Sequence, residues 1–345
     1  MNVNLLEKLC SASGISGDEN EVREMILEEI KNYVTSYEID AMGNLIVFKE
    51  GNKRAVNKLM ISAHMDEIGF IVTGIKSDGM ITVNEVGGID RRVILGKQVK
   101  IGKNKIDGVF GVKPIHLLSA DEREKIPKID EMYCDIGANS KEEAEKYVNL
   151  GDGVVFASKF INDENRIISK AIDDRIGCLV LIELIKDNLE YDTYFTFLVQ
   201  EEVGLRGART ATYKVNPHSA IVVEATTACD VAQISQDKKV CEMGQGGVIS
   251  FMDRATIYDK EYYKLAQNVA CENNVPIQIK QAVAGGNDSG AIHSSRNGVR
   301  TLAVSFPCRY IHSANSIIAV SDYKSVYTIV KKSAEKISGG VVWFI

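Results

Sequence analysis

The chain lacks paired cysteines. Its seven cysteines are scattered singly over 345 residues, and no two of them stand in a CxxC spacing. A disulfide framework and a thiolate zinc site both require such pairs, so the sequence predicts neither. We expect most of these thiols to be small buried groups in a reducing cytosol, which indicates a cytoplasmic protein. None adjoins a histidine in sequence, so a cysteine nucleophile is not favoured.

An excess of positive charge is also missing. The 41 basic and 47 acidic residues are mixed throughout and leave a net charge of −6. Without a basic stripe, a polybasic amphipathic helix or a long apolar run, the sequence predicts neither nucleic acid nor a membrane as a partner. The first eight residues do not show the apolar core of a signal peptide.

The composition suits a large globular protein, and two parts of the chain differ in their secondary-structure patterns. Hydrophobic residues make up 45% of the chain and charged residues 26%, as in one large domain with a second module. We predict an α/β fold with a mixed sheet covered by helices on both faces, because strand-like and helical patterns alternate. This discontinuous domain would comprise residues 1–69 and 167–345. Short β-type runs separated by glycine and charged turns predict an inserted, small β-rich domain at 70–166.

Several elements can be predicted individually. Ser16 and Glu19 have the spacing of a capping box, so a helix should begin there and continue to Val34. A nearly all-apolar and therefore buried helix should follow Asp174. The other strong patterns predict strands at 45–48, 58–62, 70–73, 80–83, 98–101, 108–112, 154–160, 194–199, 219–223 and 301–306, and helices at 140–147, 260–273 and 320–337.

Residues able to bind metal follow several of the apolar runs. His64 and Asp66 end one run, Glu224 ends another, His312 follows a third, and Asp173 precedes the buried helix. Open α/β sheets bind ligands outside the carboxyl ends of their strands, so these side chains should meet. Taken singly, they could be a local histidine–aspartate pair, a surface acid and a loop histidine. Together, two imidazoles and several carboxylates suit a pair of zinc, cobalt or manganese ions.

Glu201 and Glu202 stand side by side after the apolar run at 194–199. Adjacent side chains in a strand point to opposite faces, so both can serve one site only where the strand ends and the backbone turns. Gly204 and Gly207 would allow such a turn. The alternative is two solvated acids on a loop. In a shared site, one carboxylate could hold a cation while the other moves a proton.

Five segments occur in this order: His64-Met65-Asp66-Glu67-Ile68-Gly69, Ala171-Ile172-Asp173-Asp174-Arg175-Ile176-Gly177, Gln200-Glu201-Glu202-Val203-Gly204, Val223-Glu224-Ala225-Thr226 and Tyr310-Ile311-His312-Ser313. Together they resemble the M42 family of metallo-aminopeptidases, which includes glutamyl aminopeptidases and TET peptidases. The resemblance extends over essentially the whole chain, including the inserted module. It implies a zinc-peptidase-like catalytic domain that hydrolyses N-terminal residues from short peptides.

The resemblance also implies two divalent ions per subunit, with zinc or cobalt favoured and manganese acceptable. Asp173 would bridge both ions and would be followed by a cis peptide bond to Asp174. Many relatives carry aspartate where Glu224 stands, and the longer glutamate could retune that site. The implied terminal ligands are His64 and Glu224 for one ion, and Glu202 and His312 for the other.

Further roles come from the same resemblance. Glu201 would be the general base that takes a proton from the attacking water and later protonates the leaving amine. Asp66 would orient the His64 imidazole, and Arg175 would have a structural role among neighbouring carboxylates. The inserted module would make dimer contacts, and dimers would build hollow dodecamers that admit only short peptides.

Two other functions remain open from the residues alone. Paired carboxylates also cleave sugars, so an endoglucanase-like glycoside hydrolase is one alternative. Aromatic residues are only 7%, however, and Trp343 is the only tryptophan, which leaves few platforms for stacking sugars. A non-catalytic metal-binding assembly protein is the second alternative, and a missing ligand or base would favour it.

The sequence indicates less clearly which residues select the substrate and what the remaining histidines do. Arg206 and Arg309 could supply a basic group to the pocket for the N-terminal side chain, or they could be partners in internal salt bridges. The segment Gly285-Gly286-Asn287-Asp288-Ser289-Gly290 resembles the family's glycine-rich segment near the substrate pocket, so it could be a wall of that pocket or a plain turn. The sequence predicts structural or exposed positions for His116, His218 and His293.

Overall fold

A computed structural model describes residues 1–340 of the chain, so Trp343 lies outside the described residues. Within this range no helix has both the length and the apolar character needed to cross a membrane. The helices are α1 (Val3–Ser11), α2 (Asn20–Ile30), α3 (Ala120–Arg123), α4 (Lys141–Ala144), α5 (Ile172–Lys186), α6 (Arg206–Val215), α7 (Lys260–Glu272), α8 (Ser289–Ile292) and α9 (Asp322–Ser338). The strands are β1 (Ser36–Ile39), β2 (Leu45–Lys49), β3 (Leu59–His64), β4 (Gly69–Ile75), β5 (Ile81–Val86), β6 (Gln98–Ile101), β7 (Ile106–Val112), β8 (Met132–Asp135), β9 (Gly153–Phe156), β10 (Ile161–Asn162), β11 (Arg166–Ser169), β12 (Thr193–Leu198), β13 (Ser219–Thr227), β14 (Gly247–Ile249), β15 (Ile277–Ile279), β16 (Arg300–Cys308) and β17 (Ser316–Ala319).

An eight-stranded mixed sheet forms the centre of the larger part of the molecule. Its strand order is β1-β2-β12-β3-β13-β16-β14-β15. The central strands β12, β3, β13 and β16 run parallel to one another. Antiparallel pairs join β1 to β2, β2 to β12, and β14 to β16. The predicted mixed sheet is therefore confirmed.

Helices cover both faces of this sheet. On one face α5 packs against β3 and β13 and α9 packs against β16, and this core contains Ile221 and Val223 of β13. On the other face α6 and α8 cover a second core that contains Ala220 and Val222. Successive residues of β13 thus alternate between two cores, as the pleat requires. Because both sides are covered, the central strands read as continuous apolar runs, and the predicted α/β class is confirmed.

A closed barrel is formed by six strands in the order β4-β5-β8-β7-β6-β9. Three aromatic rings meet in its core. The ring centroid of Phe70 lies 4.6 Å from that of Phe110 and 5.6 Å from that of Phe156. The predicted strand at 98–101 is confirmed here, whereas the one at 154–160 ends at Phe156. A separate three-stranded sheet has the order β10-β11-β17.

The predicted capping box before α2 is wrong. The helix begins at Asn20, no side chain caps its N-terminus, and it ends at Ile30 rather than at Val34. The Ser16 hydroxyl donates instead to Asp66 Oδ2 at 2.6 Å. The carboxylate of Glu19 accepts backbone N–H groups, one of which belongs to a distant loop. Tertiary hydrogen bonds have therefore replaced the local cap.

Other differences follow from weak local signals. The helix predicted at 140–147 is confined to Lys141–Ala144. Helix α6 was not predicted because the residues that it buries are mostly small, such as Ala208 and Ala211, and no run of large aliphatic side chains marks it in the sequence. Edge strand β1 was not predicted because all of its residues are exposed.

A buried ion cluster joins the segment after β3 to the start of α5. Lys170 Nζ lies 2.6 and 2.8 Å from the two carboxylate oxygens of Glu67, and Arg175 Nη2 lies 3.3 Å from one of them. Arg175 Nε also donates to the backbone carbonyl of Met65 at 2.8 Å. All three charged side chains are buried. The cluster therefore fixes the spacing of two segments that carry predicted metal ligands.

Replacing Glu67 with glutamine should destabilise the fold, because it leaves two buried cations without a counter-charge. We expect a loss of about 3–5 kcal/mol in the free energy of unfolding. Urea titration followed by circular dichroism measures it. Glu28→Gln is the matched control, since Glu28 pairs with Lys31 on the surface and should cost less than about 1 kcal/mol. Equal losses in the two variants would contradict a special role for the buried cluster.

Candidate metal centre

The central parallel strands bring their carboxyl ends to one edge of the sheet. His64 is the last residue of β3 and is in register with Leu198, the last residue of β12. Glu201 and Glu202 follow on the turn after β12. Glu224 lies in β13, and His312 follows β16 by four residues. The chain therefore collects these side chains at the position where open α/β sheets bind ligands.

Asp173, near the start of α5, lies between the two imidazoles. Its Oδ1 atom is 3.3 Å from His64 Nε2, and its Oδ2 atom is 3.3 Å from His312 Nε2. Asp173 is buried, as is His64. Each carboxylate oxygen thus serves a different histidine, which is the arrangement that a carboxylate shared between two cations requires.

Each histidine also faces a glutamate. His64 Nε2 lies 3.7 Å from Glu224 Oε2, and His312 Nε2 lies 3.3 Å from Glu202 Oε2. The other oxygen of Glu224, Oε1, is buried and has no hydrogen-bond partner among the described residues. A buried carboxylate oxygen without a donor is costly unless a cation approaches it, so this atom fits a metal ligand.

Alternative groupings of ligand atoms also occur among residues 1–340. The atoms of His64, Asp174 and Glu224 lie within 4.8 Å of one another, as do those of His64, Asp173 and Glu202. Asp174 is nevertheless directed at backbone groups. Its Oδ1 accepts from the Gly177 N–H at 3.0 Å and its Oδ2 from the His64 N–H at 3.3 Å. The cis peptide bond expected between Asp173 and Asp174 is confirmed.

Asp66 connects His64 to the glutamate pair. Its Oδ1 accepts from the Glu201 N–H at 3.0 Å and its Oδ2 from the Glu202 N–H at 3.1 Å. His64 Nδ1 lies 3.1 Å from the Asp66 carbonyl oxygen and 3.5 Å from its Oδ1. Asp66 therefore sets the direction of the imidazole and the position of the turn that carries both glutamates.

The barrel contributes one group that the sequence did not reveal. His312 Nδ1 lies 3.0 Å from the carbonyl oxygen of Gly88, which follows β5. A protonated Nδ1 would donate there and leave Nε2 free to face the carboxylates. The adjacent Gly87 and Gly88 were a possible signal of a close backbone approach, but 224 residues separate Gly88 from His312.

Asp288 is a second residue at the centre whose individual role was not predicted, although the glycine-rich segment that contains it was a candidate pocket wall. It is 0% exposed, and neither carboxylate oxygen has a hydrogen-bond partner within the described part of the chain. Burial raises its pKa to about 7, and it interacts electrostatically with His64 and Glu201. The glycine-rich segment at 285–290 thus supplies an acid beside the centre, which favours the pocket wall over the plain turn.

The charges of the centre perturb one another strongly. Burial raises the pKa of Glu201 well above its usual range, and Asp288 and Glu202 raise it further. Burial likewise raises the pKa of Glu202 to about 8. Burial alone would lower the pKa of His312, but Asp173 and Glu202 outweigh it and raise that pKa to about 9. Without cations the cluster therefore holds extra protons near neutral pH.

The two arginines proposed for substrate selection both contact other side chains of the chain. Arg309 forms a bidentate ion pair with Asp230, with Nε–Oδ1 and Nη2–Oδ2 distances of 2.6 and 2.8 Å. Arg206 is exposed, and its Nη1 lies 3.4 Å from Gln200 Oε1. Arg309 is thus an internal salt-bridge partner, the second of the two roles that its sequence position allowed.

The remaining predicted positions are structural or exposed. Arg175 belongs to the buried ion cluster with Glu67. His116 is exposed, His293 Nδ1 lies 2.8 Å from the Ser289 carbonyl oxygen, and His218 Nδ1 accepts from the Lys58 N–H.

Comparison with known proteins gives a consistent result. The sequence model of the M42 glutamyl aminopeptidase family matches residues 43–329. The chain is 32% identical to the glutamyl aminopeptidase of Lactococcus lactis subsp. cremoris over 339 residues, covering 94% of each chain. A TET aminopeptidase from the marine sediment archaeon Thaumarchaeota archaeon SCGC AB-539-E09 superposes with a TM-score of 0.92 at 35% identity, covering 97% of this chain and 95% of that one. PhTET1-12s, a dodecamer, gives 0.84 at 34% identity, covering 98% and 99%.

Binding of a divalent cation should release protons at pH 7. Below about pH 9 the His312 imidazole is protonated, and below about pH 8 Glu202 is too, so a cation must displace both protons. Apparent affinity for zinc should consequently rise between pH 6 and 9. Calorimetry in buffers of different ionisation enthalpy measures the release. His312→Gln should reduce it and His116→Gln should not, whereas an enthalpy independent of buffer would contradict this prediction.

Proposed function

Because the chain belongs to the M42 glutamyl aminopeptidase family and is therefore a peptide hydrolase, we propose that the centre around Asp173 holds two divalent cations that serve this reaction. The observation that carries the proposal is the geometry of Asp173, whose two oxygens face His64 and His312 separately. The substrates are short peptides with a free N-terminus, and the product is the released N-terminal residue.

The surrounding side chains fit two cations. Asp173 with His64 and Glu224 would hold one, and Asp173 with His312 and Glu202 would hold the other. Oxygen and imidazole nitrogen ligands without sulfur suit zinc or cobalt, and manganese also fits. Buried acids at or beside the centre also favour two divalent charges, because such a cluster is costly without cations. These acids are Asp66, Asp173, Asp174, Glu224 and Asp288.

Glu201 is the proposed general base. Its side chain belongs to neither proposed ligand set, whereas the side chain of Glu202 belongs to one of them. The two adjacent glutamates would therefore have separate roles, with Glu202 binding a cation and Glu201 transferring the proton. When bound, the cations lower the pKa of a water molecule and polarise the scissile carbonyl. Glu201 then accepts the proton from the attacking water and returns it to the leaving amine. The raised pKa of Glu201 favours holding that proton between the two transfers.

The alternatives are less well supported. An endoglucanase-like activity does not call for two imidazoles around a shared carboxylate, and family membership favours peptide hydrolysis. A non-catalytic metal-binding protein would be favoured by a missing ligand or base, but every expected position carries a suitable residue.

Replacing Glu201 with glutamine should greatly reduce turnover while preserving metal content. We expect kcat for an aminoacyl-p-nitroanilide to fall by about 10²–10⁴-fold, because the base is lost but no ligand is. Metal analysis of the purified variant should still find close to two ions per chain. Glu202→Gln is the matched comparison and should lose metal as well as activity.

The wild-type enzyme provides the controls for this test. Chelation should remove its activity, Co²⁺ or Zn²⁺ should restore it, and an N-acetylated substrate should resist hydrolysis. Activity that survives chelation would overturn the two-cation proposal. A kcat for Glu201→Gln within about tenfold of the wild-type value would show that the base is assigned wrongly.

We also propose that residues 70–166 form an assembly domain and that the chain builds homo-oligomers, up to a dodecamer like that of PhTET1-12s. Three apolar side chains between β7 and β8 support this, since Ile115, Leu117 and Ile126 are 71%, 59% and 50% exposed. Large exposed apolar residues in one segment favour burial against another chain.

Charged substitutions in this segment should reduce the size of the particle. Analytical ultracentrifugation should find twelve chains for the wild type and fewer for Ile115→Asp combined with Leu117→Asp, because burying a charge at the interface is costly. Val56→Asp is the control, since Val56 is similarly exposed outside the module. A wild-type monomer, or equal loss in the control, would contradict the proposal.

A further inference from the structure

The segment Ser16-Gly17-Asp18-Glu19 lies against the metal centre although it precedes a helix that it does not cap. The Glu67 N–H donates to the carbonyl of Gly14 at 2.9 Å, and the backbones of Ile15 and Glu67 form an isolated parallel β-bridge. The segment is thereby placed beside the loop that follows β3. Two of its three side chains, those of Ser16 and Glu19, then make hydrogen bonds toward the elements that carry the site.

Ser16 reaches the centre through Asp66. Its hydroxyl donates to Asp66 Oδ2 at 2.6 Å, and the same oxygen accepts from the Glu202 N–H at 3.1 Å. The other oxygen of Asp66 accepts from the Glu201 N–H. The Asp66 carboxylate is buried and must keep one orientation to accept both N–H groups. Ser16 supplies the third donor that fixes that orientation.

Glu19 contacts the same turn through the backbone of Gln200. It is 3% exposed, and its Oε1 atom accepts from the Gly17 N–H at 2.8 Å and the Gln200 N–H at 3.1 Å. Gln200 immediately precedes Glu201 and has a φ of 56°, in the left-handed region. A non-glycine residue adopts that conformation only when its surroundings hold it there. The bond from Gln200 to Glu19 is one such restraint.

We propose that Ser16 and Glu19 are positioning residues that hold the turn carrying Glu201 and Glu202, Ser16 through Asp66 and Glu19 through Gln200. The inference rests on the proposed function of that glutamate pair. Asp18, between them in sequence, is exposed, and its side chain makes no comparable hydrogen bond within residues 1–340. The two flanking side chains should therefore affect catalysis, and Asp18 should not.

The test compares truncation with conservative replacement in the metal-loaded enzyme. Ser16→Ala and Glu19→Ala should each lower kcat about tenfold with little change in KM, and should weaken zinc binding by a similar factor in chelator competition. Ser16→Thr keeps the hydroxyl, and Glu19→Gln keeps an oxygen acceptor for both N–H groups, so both should recover most of the loss. Asp18→Asn is the matched control and should remain within about twofold of wild type.

The outcomes separate this inference from the proposed function. If both alanine variants keep kcat and zinc affinity within about twofold of wild type, or if Asp18→Asn loses as much as they do, the inference is overturned. It is also overturned if the alanine variants change only the unfolding midpoint. Turnover in Glu201→Gln close to the wild-type rate would instead refute the assignment of the base, while the zinc affinities of the Ser16 and Glu19 variants would still decide whether they position Glu202.

Discussion

The crowding of carboxylates around Asp173 is the constraint on which the rest of the site depends. Buried acids repel one another and resist ionisation, as the raised pKa values of Glu201, Glu202 and Glu224 show. Two imidazoles offset part of this charge, with Asp173 between them. A fold that keeps such a cluster together must either hold extra protons or bind cations, and the positions of the ligand atoms favour cations.

The strands and side chains that surround the proposed metal ligands hold them in place. The parallel strands set the positions of His64 in β3, of Glu224 in β13 and of the end of β12, from which the turn with Glu202 starts. Asp66 then ties the imidazole of His64 to the turn after β12, and the buried ion cluster of Glu67, Lys170 and Arg175 ties that region to the start of α5. The geometry therefore depends on both backbone hydrogen bonds and buried charge pairs.

Sequence reasoning could predict the α/β class and the side chains at the strand ends, because apolar runs and the residues that follow them are local features. It could not predict partners set by tertiary contacts. The carbonyl of Gly88 and the carboxylate of Asp288 come from other parts of the chain, and nothing in their local sequence points to His312 or Glu201. The capping box failed for the same reason: Ser16 and Glu19 have the right spacing, but tertiary acceptors and donors compete for both side chains.

The contact between Gly88 and His312 links the two parts of the molecule physically. The carbonyl belongs to the loop after β5 of the barrel, whereas the imidazole follows β16 of the large sheet. Because the acceptor at Nδ1 decides which nitrogen faces Asp173 and Glu202, the barrel has to stay docked for the imidazole to keep its orientation. The inserted strands thus help to orient a proposed metal ligand, whatever further contacts they make with other chains.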